Sequence, residues 1–404
     1  MSILRNNDLK NANKLSILNL LRDNPLLSRA DISVKLGLSK STVSAIMDEL
    51  CLNGWVEDVG RGSSTKQGGK KPILLQINAD ASYVIAVYFS STVVNVAITN
   101  MASEILAVKS KCVSEVTDYQ VHFDEIIEII RELVSECGKK IPAMRILGCG
   151  IVIRGLVNVE ERTLLYSATL PGWSNVPVGE YFESRLNLPV FVENDIRAIT
   201  AYEYLVYKNS NPKVIMCVNA EIGISLGVAI NGTVFHGSNF GVSATHMILD
   251  TDGPLCTCGN RGCWDTIAST ETMIMEIEKR KNSSAGISYQ EMIRMYEEGD
   301  PVVLDVVENY TGYWMSVGIV NAINLYNPDI LVLMGKNFDT FKEIGNKVVE
   351  AVRSMPNEVA RQVQIVFSDG MKHLLVKGAS HLVISGFYSV KYHDELAERM
   401  NKTE

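Results

Sequence analysis

Three cysteines stand within eight positions of one another in the stretch GPLCTCGNRGCWDT: Cys256, Cys258 and Cys263. Cys-x-Cys-x4-Cys brings three soft thiolates together, and zinc takes four nitrogen or sulfur ligands in a tetrahedron. Two uses of such a centre are open. One is a zinc knuckle that holds nucleic acid; the other is a clasp that shapes a site for something else. Three free thiols around a glycine-rich turn are the plain alternative. The flanks, LDTDGPL before and WDTIAS after, are acidic to neutral and so a poor match to a phosphate backbone.

The chain that must position this cluster has 404 residues, too many for one ordinary domain, so two or three are expected. With 47% hydrophobic and 21% charged residues it can build full cores. No apolar run reaches the ~18–20 residues of a membrane helix, and the start, MSILRNNDLKN, is polar with no signal-peptide core. A cytoplasmic protein without a membrane partner is expected. The eight cysteines are scattered apart from the cluster, which suits a reducing compartment where close cysteines more often hold metal than pair. The net charge of −8 is unevenly placed: residues 1–80 carry 11 Lys and Arg against 8 Asp and Glu, which leaves −11 for the rest. Such asymmetry points to a small module facing nucleic acid, joined to a larger acidic body.

The first eighty residues predict three short helices. Asn13–Asn24 puts Ile17, Leu18, Leu20 and Leu21 on one side until Pro25 breaks it. Ser28 with Asp31 reads as the cap of a second helix through Leu36, Gly37 makes a turn, and Ser39 caps a third. In the third, Val43, Ile46, Met47 and Leu50 recur at i, i+3, i+4, i+7. That stripe leaves Lys40, Ser41, Thr42 and Ser44 outside the core. Small polar residues at the start of such a helix allow close approach to base edges in a major groove. Two β-like runs, WVEDVG and ILLQIN, then flank RGSSTKQGGKKP, making a wing whose Arg61, Lys66, Lys70 and Lys71 can reach phosphates or a minor groove. A solvated linker on a protein-interaction module is the alternative; the agreement of spacing, exposed residues and basic loop favours DNA.

From Tyr83 the pattern becomes β-rich. YVIAVYFS, VVNVAITN and a run near Ala107–Val113 precede a long amphipathic helix carrying Phe123, Ile126, Ile127, Ile130, Leu133 and Val134, and then a buried strand, RILGCGIVI. VIMCVNAE, SLGVAING and TVFHG repeat the three-strand theme, with ILVLMG and VQIVFSD following among helices. Two similar halves predict a duplicated α/β fold with a ligand cleft between lobes.

With these residues in view the chain resembles the ROK family (repressors, open reading frames, kinases), in its repressor branch of xylose- and N-acetylglucosamine-type, sugar-responsive regulators. The resemblance covers nearly all of the chain. It is most specific in RADISVKLGLSKSTVSAIMDEL with GGKKPILLQIN, in LPGWSNVPVGEYFESRLNLPVFVENDIRA, and in GPLCTCGNRGCWDTIAS. It implies a winged helix-turn-helix domain over 1–78 and an actin-like, sugar-kinase-like (ribonuclease H-like) body. Lobe 1 would take 79–195, completed by a C-terminal helix near 376–400, and lobe 2 would take 196–375 with the cysteine loop. The family also places a Gly-His pair upstream of the cysteines, here Thr245-His246, so His246 is the implied fourth ligand of a structural Zn2+. Four protein ligands leave no open position for water activation.

The same resemblance frames the chemistry. The kinases' first phosphate loop, Asp-x-Gly-Gly-Thr, aligns with Tyr88-Phe89-Ser90-Ser91-Thr92, and the second, Gly-Thr-Gly-Ile-Gly, with Glu221-Ile222-Gly223-Ile224-Ser225. Lost glycines and a carboxylate beside the phosphates imply that ATP is refused and that the protein is not an enzyme. Glu193-Asn194-Asp195 matches the triplet whose Asp is the kinases' general base and whose Asn and Asp grip sugar hydroxyls. Asp195 also reads as a cap for the helix Ile196–Tyr207. Ser243 stands where the family has a pocket Glu, Asp265 is a shortened Glu, and Arg154-Gly155 replaces Pro-Gly. The implied ligand set is therefore Arg154, Gly155, Asn194, Asp195, Ser243, His246 and Asp265. A guanidinium at 154 suits a phosphate or carboxylate on the ligand, or pairs with a nearby Glu such as Glu193. The expected protein is a repressor that binds an inverted repeat in double-stranded DNA as a homodimer or tetramer and is released by a small sugar or sugar derivative. A repressor answering to a protein partner, such as a transporter subunit, and a kinase fused to a DNA-binding head are the alternatives.

Overall fold

The structure, a computed structural model, describes residues 6–61, 71–113, 118–238, 244–283, 286–368 and 370–389. The chain divides into two compact units. One takes Met1–Ile153, Val159–Val192 and Ala379–Glu404; the other takes Arg154–Asn158 and Glu193–Gly378.

The first unit opens with helices α1 (Asn6–Asp23), α2 (Arg29–Leu36) and α3 (Lys40–Leu52), then antiparallel strands β1 (Val56–Arg61) and β2 (Ile73–Ile77). α1 begins seven residues before the Asn13 expected from the pattern. Its front turns bury no apolar stripe (Leu9 is exposed), so periodicity had nothing to register there. Ser28 and Asp31 form a reciprocal capping box on α2, and the Ser39 hydroxyl accepts the Thr42 N–H to start α3. Val43, Ile46, Met47 and Leu50 are all buried, as their spacing requires. Lys10 and Lys14 of α1 both pair with Glu49 of α3, at 2.7 and 2.9 Å. Lys66 and Lys70 lie outside the described residues, while Arg61 and Lys71 stand exposed.

Behind the head come β3 (Tyr83–Phe89), β4 (Val93–Asn100), β5 (Ile105–Cys112), α4 (Tyr119–Gly138), β6 (Ile146–Ile153) and β7 (Val190–Asn194). Their sheet runs β7-β6-β3-β4-β5, with β3, β4 and β5 antiparallel and β6 parallel to β3. A parallel neighbour needs a long crossover, and α4 supplies it. The second unit repeats the plan with α5 (Asp195–Tyr207), β8 (Val214–Ala220), β9 (Ile224–Ile230), β10 (Thr233–Val234), α6 (Gly312–Tyr326), β11 (Ile330–Met334) and β12 (Gln364–Ser368). Here the order is β10-β9-β8-β11-β12, with β8, β9 and β10 antiparallel and β11 and β12 parallel additions. The expected duplication is thus present strand for strand.

The last described helix, α7 (Met371–Phe387), starts five residues before the expected 376, and residues 390–400 of that expectation lie outside the described ones. Its end closes the first unit's core. Ile17, Leu18, Met47, Trp55 and Leu75 of the head share one apolar cluster with Val84, Leu147, Val383 and Phe387. Trp55 stacks on Phe387 with ring centroids 4.7 Å apart, Asn19 Nδ2 donates to the Tyr388 carbonyl at 3.0 Å, and the Arg22 guanidinium lies 4.7 Å from the Tyr388 ring centre. A trihelical head buries little apolar area alone, and this cluster enlarges its core. Trp55→Ala is expected to cost about 3–5 kcal/mol. Limited proteolysis should then cut within the first eighty residues well before the rest, where the parent resists.

Candidate functional site

The Glu193-Asn194-Asp195 triplet lies where β7 ends and α5 begins, so its side chains gather at one helix start. Asn194, not Asp195, is the cap: its Oδ1 accepts the Arg197 N–H at 3.4 Å and its backbone is extended. Asp195 is the first helical residue, and its Oδ1 accepts the Ile196 N–H at 2.9 Å. The expected cap is therefore displaced by one residue, because a cap must still have extended backbone and Asn194 is the last residue that does. Asn194 Nδ2 reaches across to donate to the Gly155 carbonyl at 2.9 Å.

Arg154 meets this triplet directly. Its Nε donates to Asp195 Oδ2 at 3.2 Å, and its Nη2 lies 3.5 Å from Glu221 Oε2. Lys336 Nζ lies 3.5 Å from the other Glu221 oxygen. The acidic partners of Arg154 are thus Asp195 and Glu221 rather than Glu193. Glu193 instead takes His236 Nε2 at 2.6 Å on one oxygen and its neighbour's N–H at 2.8 Å on the other. Burial draws the Arg197 guanidinium down, opposed by the charges of Glu193 and Asp195.

In the turns aligned with phosphate loops several amides are bonded within the chain. In Tyr88–Thr92, Ser90 Oγ accepts the N–H groups of Thr92 and Val93 at 3.3 and 3.2 Å, and the Ser90 N–H goes to the Val93 carbonyl. In the β8–β9 turn the Glu221 N–H goes to the Gly223 carbonyl, and the Ile224 N–H goes to Asp265 Oδ1 at 2.8 Å. Burial pushes the Asp265 carboxyl up, and the Ile224 amide draws it back. The Glu221 carbonyl is held by Thr270 Oγ1 and by Asn337 Nδ2, the latter at 3.2 Å.

Cys256, Cys258, Cys263 and His246 come together: their ligand atoms lie within 4.8 Å of one another, with Cys256 Sγ 3.5 Å from His246 Nδ1 and Cys258 Sγ 3.6 Å from Cys263 Sγ. Backbone pairing folds the loop to this end. The Cys256 N–H donates to the Asn260 carbonyl at 2.7 Å, Gly262 N–H to Pro254 at 2.8 Å and Trp264 N–H to Met247 at 2.8 Å. Trp264 is wholly buried and starts the short helix Trp264–Ala268, which carries Asp265. The cluster can hold a metal ion, and doing so fixes the chain that leads into Asp265.

On the DNA side, Lys40 and Ser41 are exposed and Thr42 and Ser44 half-buried. Ser39 Oγ lies 2.8 Å from both Ser41 Oγ and Thr42 Oγ1, and Ser44 Oγ accepts from Arg29 Nη1 at 3.0 Å. Arg29, which also pairs with Asp48 at 2.7 Å, brings a cation to this face that spacing gave no reason to select. His236 and Lys336 were equally silent in sequence, being single residues with no motif around them. Ser243 lies outside the described residues.

Residues 84–385 match the ROK family, and residues 10–57 match a winged helix-turn-helix DNA-binding domain. The xylose repressor of Bacillus subtilis (strain 168) is 26% identical over 376 residues, 93% of this chain and 95% of that protein. A crystal structure of a ROK family transcriptional regulator, a homologue of the E. coli MLC protein, superposes with a TM-score of 0.81 at 22% identity, covering 96% of this chain and 99% of that one. The ROK family glucokinase from Streptomyces griseus, in complex with glucose and AMPPNP, superposes with 0.62 at 22% identity over 74% of this chain and 99% of its own.

The tightest constraint on the cysteine loop is Gly262, whose φ is +64° and where a Cβ would stand 1.5 Å from the Asp250 carbonyl oxygen. Gly262→Ala is expected to open the loop. Elemental analysis after loading with excess metal and desalting should show at least a halved metal content, with far-ultraviolet circular dichroism little changed.

Proposed function

This chain belongs to the ROK family, and we propose that within it the protein is a sugar-responsive transcriptional repressor that binds effector but transfers no phosphoryl group. The carrying observation is the contrast between two halves of one site. Asn194 and Asp195, suited by their donors and acceptors to vicinal hydroxyls, are retained at the start of α5. Amides in both turns that align with phosphate loops, those of Thr92 and Ile224 among them, are bonded to side chains of the chain itself, and Glu221 puts a carboxylate in the second loop. Phosphoryl transfer works by positioning and neutralising phosphate charge, and a buried Asp tied to Arg154 is a poor base for it. His246 and Asp265 complete the proposed effector site with Arg154 and Gly155.

The cysteine cluster fits zinc. Bonds of ~2.3 Å in a tetrahedron put sulfurs about 3.8 Å apart, against 3.6 Å between Cys258 and Cys263. Three thiolates and an imidazole are a borderline-soft set of four, so the ion would be structural, supplying rigidity to the loop and no reactive water. Freshly purified protein should carry about one zinc per chain, and Cys258→Ser should carry almost none while still binding DNA. Metal analysis decides it.

For DNA, Lys40, Ser41, Thr42 and Ser44 face base edges in this reading, Ser44 held in place by Arg29, while Arg61, Lys66, Lys70 and Lys71 meet phosphates or the minor groove. Two heads on one inverted repeat require a homodimer or a tetramer of such dimers. No described helix is long and apolar enough to cross a membrane; we assign the protein to the cytoplasm with the DNA it binds. Selection from random duplexes should return an inverted repeat. Lys71→Ala should weaken binding across sequences and lower the salt slope by about one. Full affinity in a chain lacking residues 1–78 would refute the assignment.

The effector test uses D-xylose first, because the relative above is a xylose repressor, and then a panel of neutral sugars. Sugar should lower the parent's operator affinity by about 5–150-fold, a coupling of ~1–3 kcal/mol. Asp195→Ala should bind the operator like the parent and ignore the sugar in a fluorescence-anisotropy titration. A variant that responds like the parent would transfer control to a protein partner.

A further inference from the structure

The side chains proposed to grip the effector are already engaged. The Asp195 side chain is only 6% exposed, with one oxygen on the Ile196 amide and the other on Arg154 Nε. Arg154 is more open, at 25%, and covers the oxygen that points away from the helix backbone. With so little of Asp195 exposed, a hydroxyl that is to reach Oδ2 competes with the guanidinium for the access that remains. That exchange needs somewhere for the cation to go, since stranding an arginine beside a half-buried site is costly. Glu221 provides it. Its Oε2 already lies 3.5 Å from Arg154 Nη2, a long contact with room to shorten, while Lys336 steadies its other oxygen from an exposed position.

We propose that Arg154 is a lid on Asp195 that the effector displaces, and that Glu221 is the carboxylate that receives it. This rests on the reading of Asp195 as an effector ligand and adds its regulation. In the closed state the guanidinium neutralises Asp195. In the open state a sugar hydroxyl donates to Asp195 and Arg154 forms a tighter pair with Glu221, so each charge keeps a partner. Arg154 and Lys336 face Asp195 and Glu221, two charges of each sign before and after the exchange, so a neutral polyol, bringing hydroxyl donors and no new charge, is the fitting class of effector. Placement of the lid gives the exchange a consequence. Arg154 begins the five-residue segment Arg154–Asn158, which belongs to the second unit although the chain on both sides of it belongs to the first. Among its side-chain fasteners are the Arg154 pairs and the Asn194 Nδ2 bond to the Gly155 carbonyl, while Leu156–Asn158 is a strand held by backbone pairing. At Arg154 and Gly155 the effector's proposed binding groups are also fasteners of the chain.

Lid and receiver predict opposite effects in the full chain. By isothermal titration with D-xylose, Arg154→Gln should bind about tenfold more tightly than the parent, because the competitor for Asp195 is gone. Glu221→Gln should bind about tenfold more weakly, because the displaced guanidinium loses its carboxylate. The double variant should follow Arg154→Gln. Weaker or unchanged xylose binding in Arg154→Gln overturns the lid; weaker binding would make Arg154 a direct effector ligand. Hydrogen–deuterium exchange without sugar provides a second arm. The amides of Arg154 and Gly155, which precede the paired strand Leu156–Asn158, should exchange at least fivefold faster in Arg154→Gln than in the parent, and equal rates overturn the proposal regardless of ligand. If no sugar of the panel, xylose included, binds the parent, the effector reading fails, while the exchange arm still decides whether Arg154 fastens this segment.

Discussion

Helix α7 is the constraint on which the rest depends, because both units draw on it: Met371–Gly378 count with the second and Ala379–Phe387 with the first. Its first half lies against α5. At Gly378 a Cβ would come within 2.9 Å of the Ala198 backbone, and Lys377 Nζ lies 5.6 Å from the Tyr202 ring centre. Its second half bonds Ser380 to Thr99 at 2.6 Å and ends in the Phe387 stack on Trp55. One continuous helix thus touches the element that begins at Asp195 and the core of the DNA-binding head.

The same economy of hydrogen bonds shapes the two turns that align with the kinases' phosphate loops. Buried amides must be satisfied by something. In a phosphate loop the ligand does it; here side chains do. Ser90 satisfies two amides of the first turn and Asp265 one amide of the second, while Glu221 presents an anion to Arg154 and Lys336. The replaced glycines leave no gap, because each turn has closed on itself.

The cysteine loop and Asp265 are linked through the same logic. The cluster folds the chain so that Trp264 can be buried, and Trp264 starts the helix that carries Asp265 to the β8–β9 turn. A metal at the cluster would remove freedom from the loop that leads into Asp265.

Much of this was written locally in the chain. The stripe Val43, Ile46, Met47, Leu50, the Ser28 and Ser39 caps and the repeated strand runs each follow from periodicities and short-range hydrogen bonds, which neighbouring residues suffice to specify. The Cys-x-Cys-x4-Cys spacing likewise announced a donor cluster, although its fourth member came from resemblance. Tertiary structure alone decided the partners of charges. Arg154 and Asp195 are 41 residues apart, and Glu193 meets a histidine 43 residues away. Nothing in the spacing could choose Asp195 and Glu221 over the adjacent Glu193 for that arginine. An ion pair carries no periodicity: it is set by where the backbone brings two side chains, and that is known only once both sheets and the helix start between them are in place.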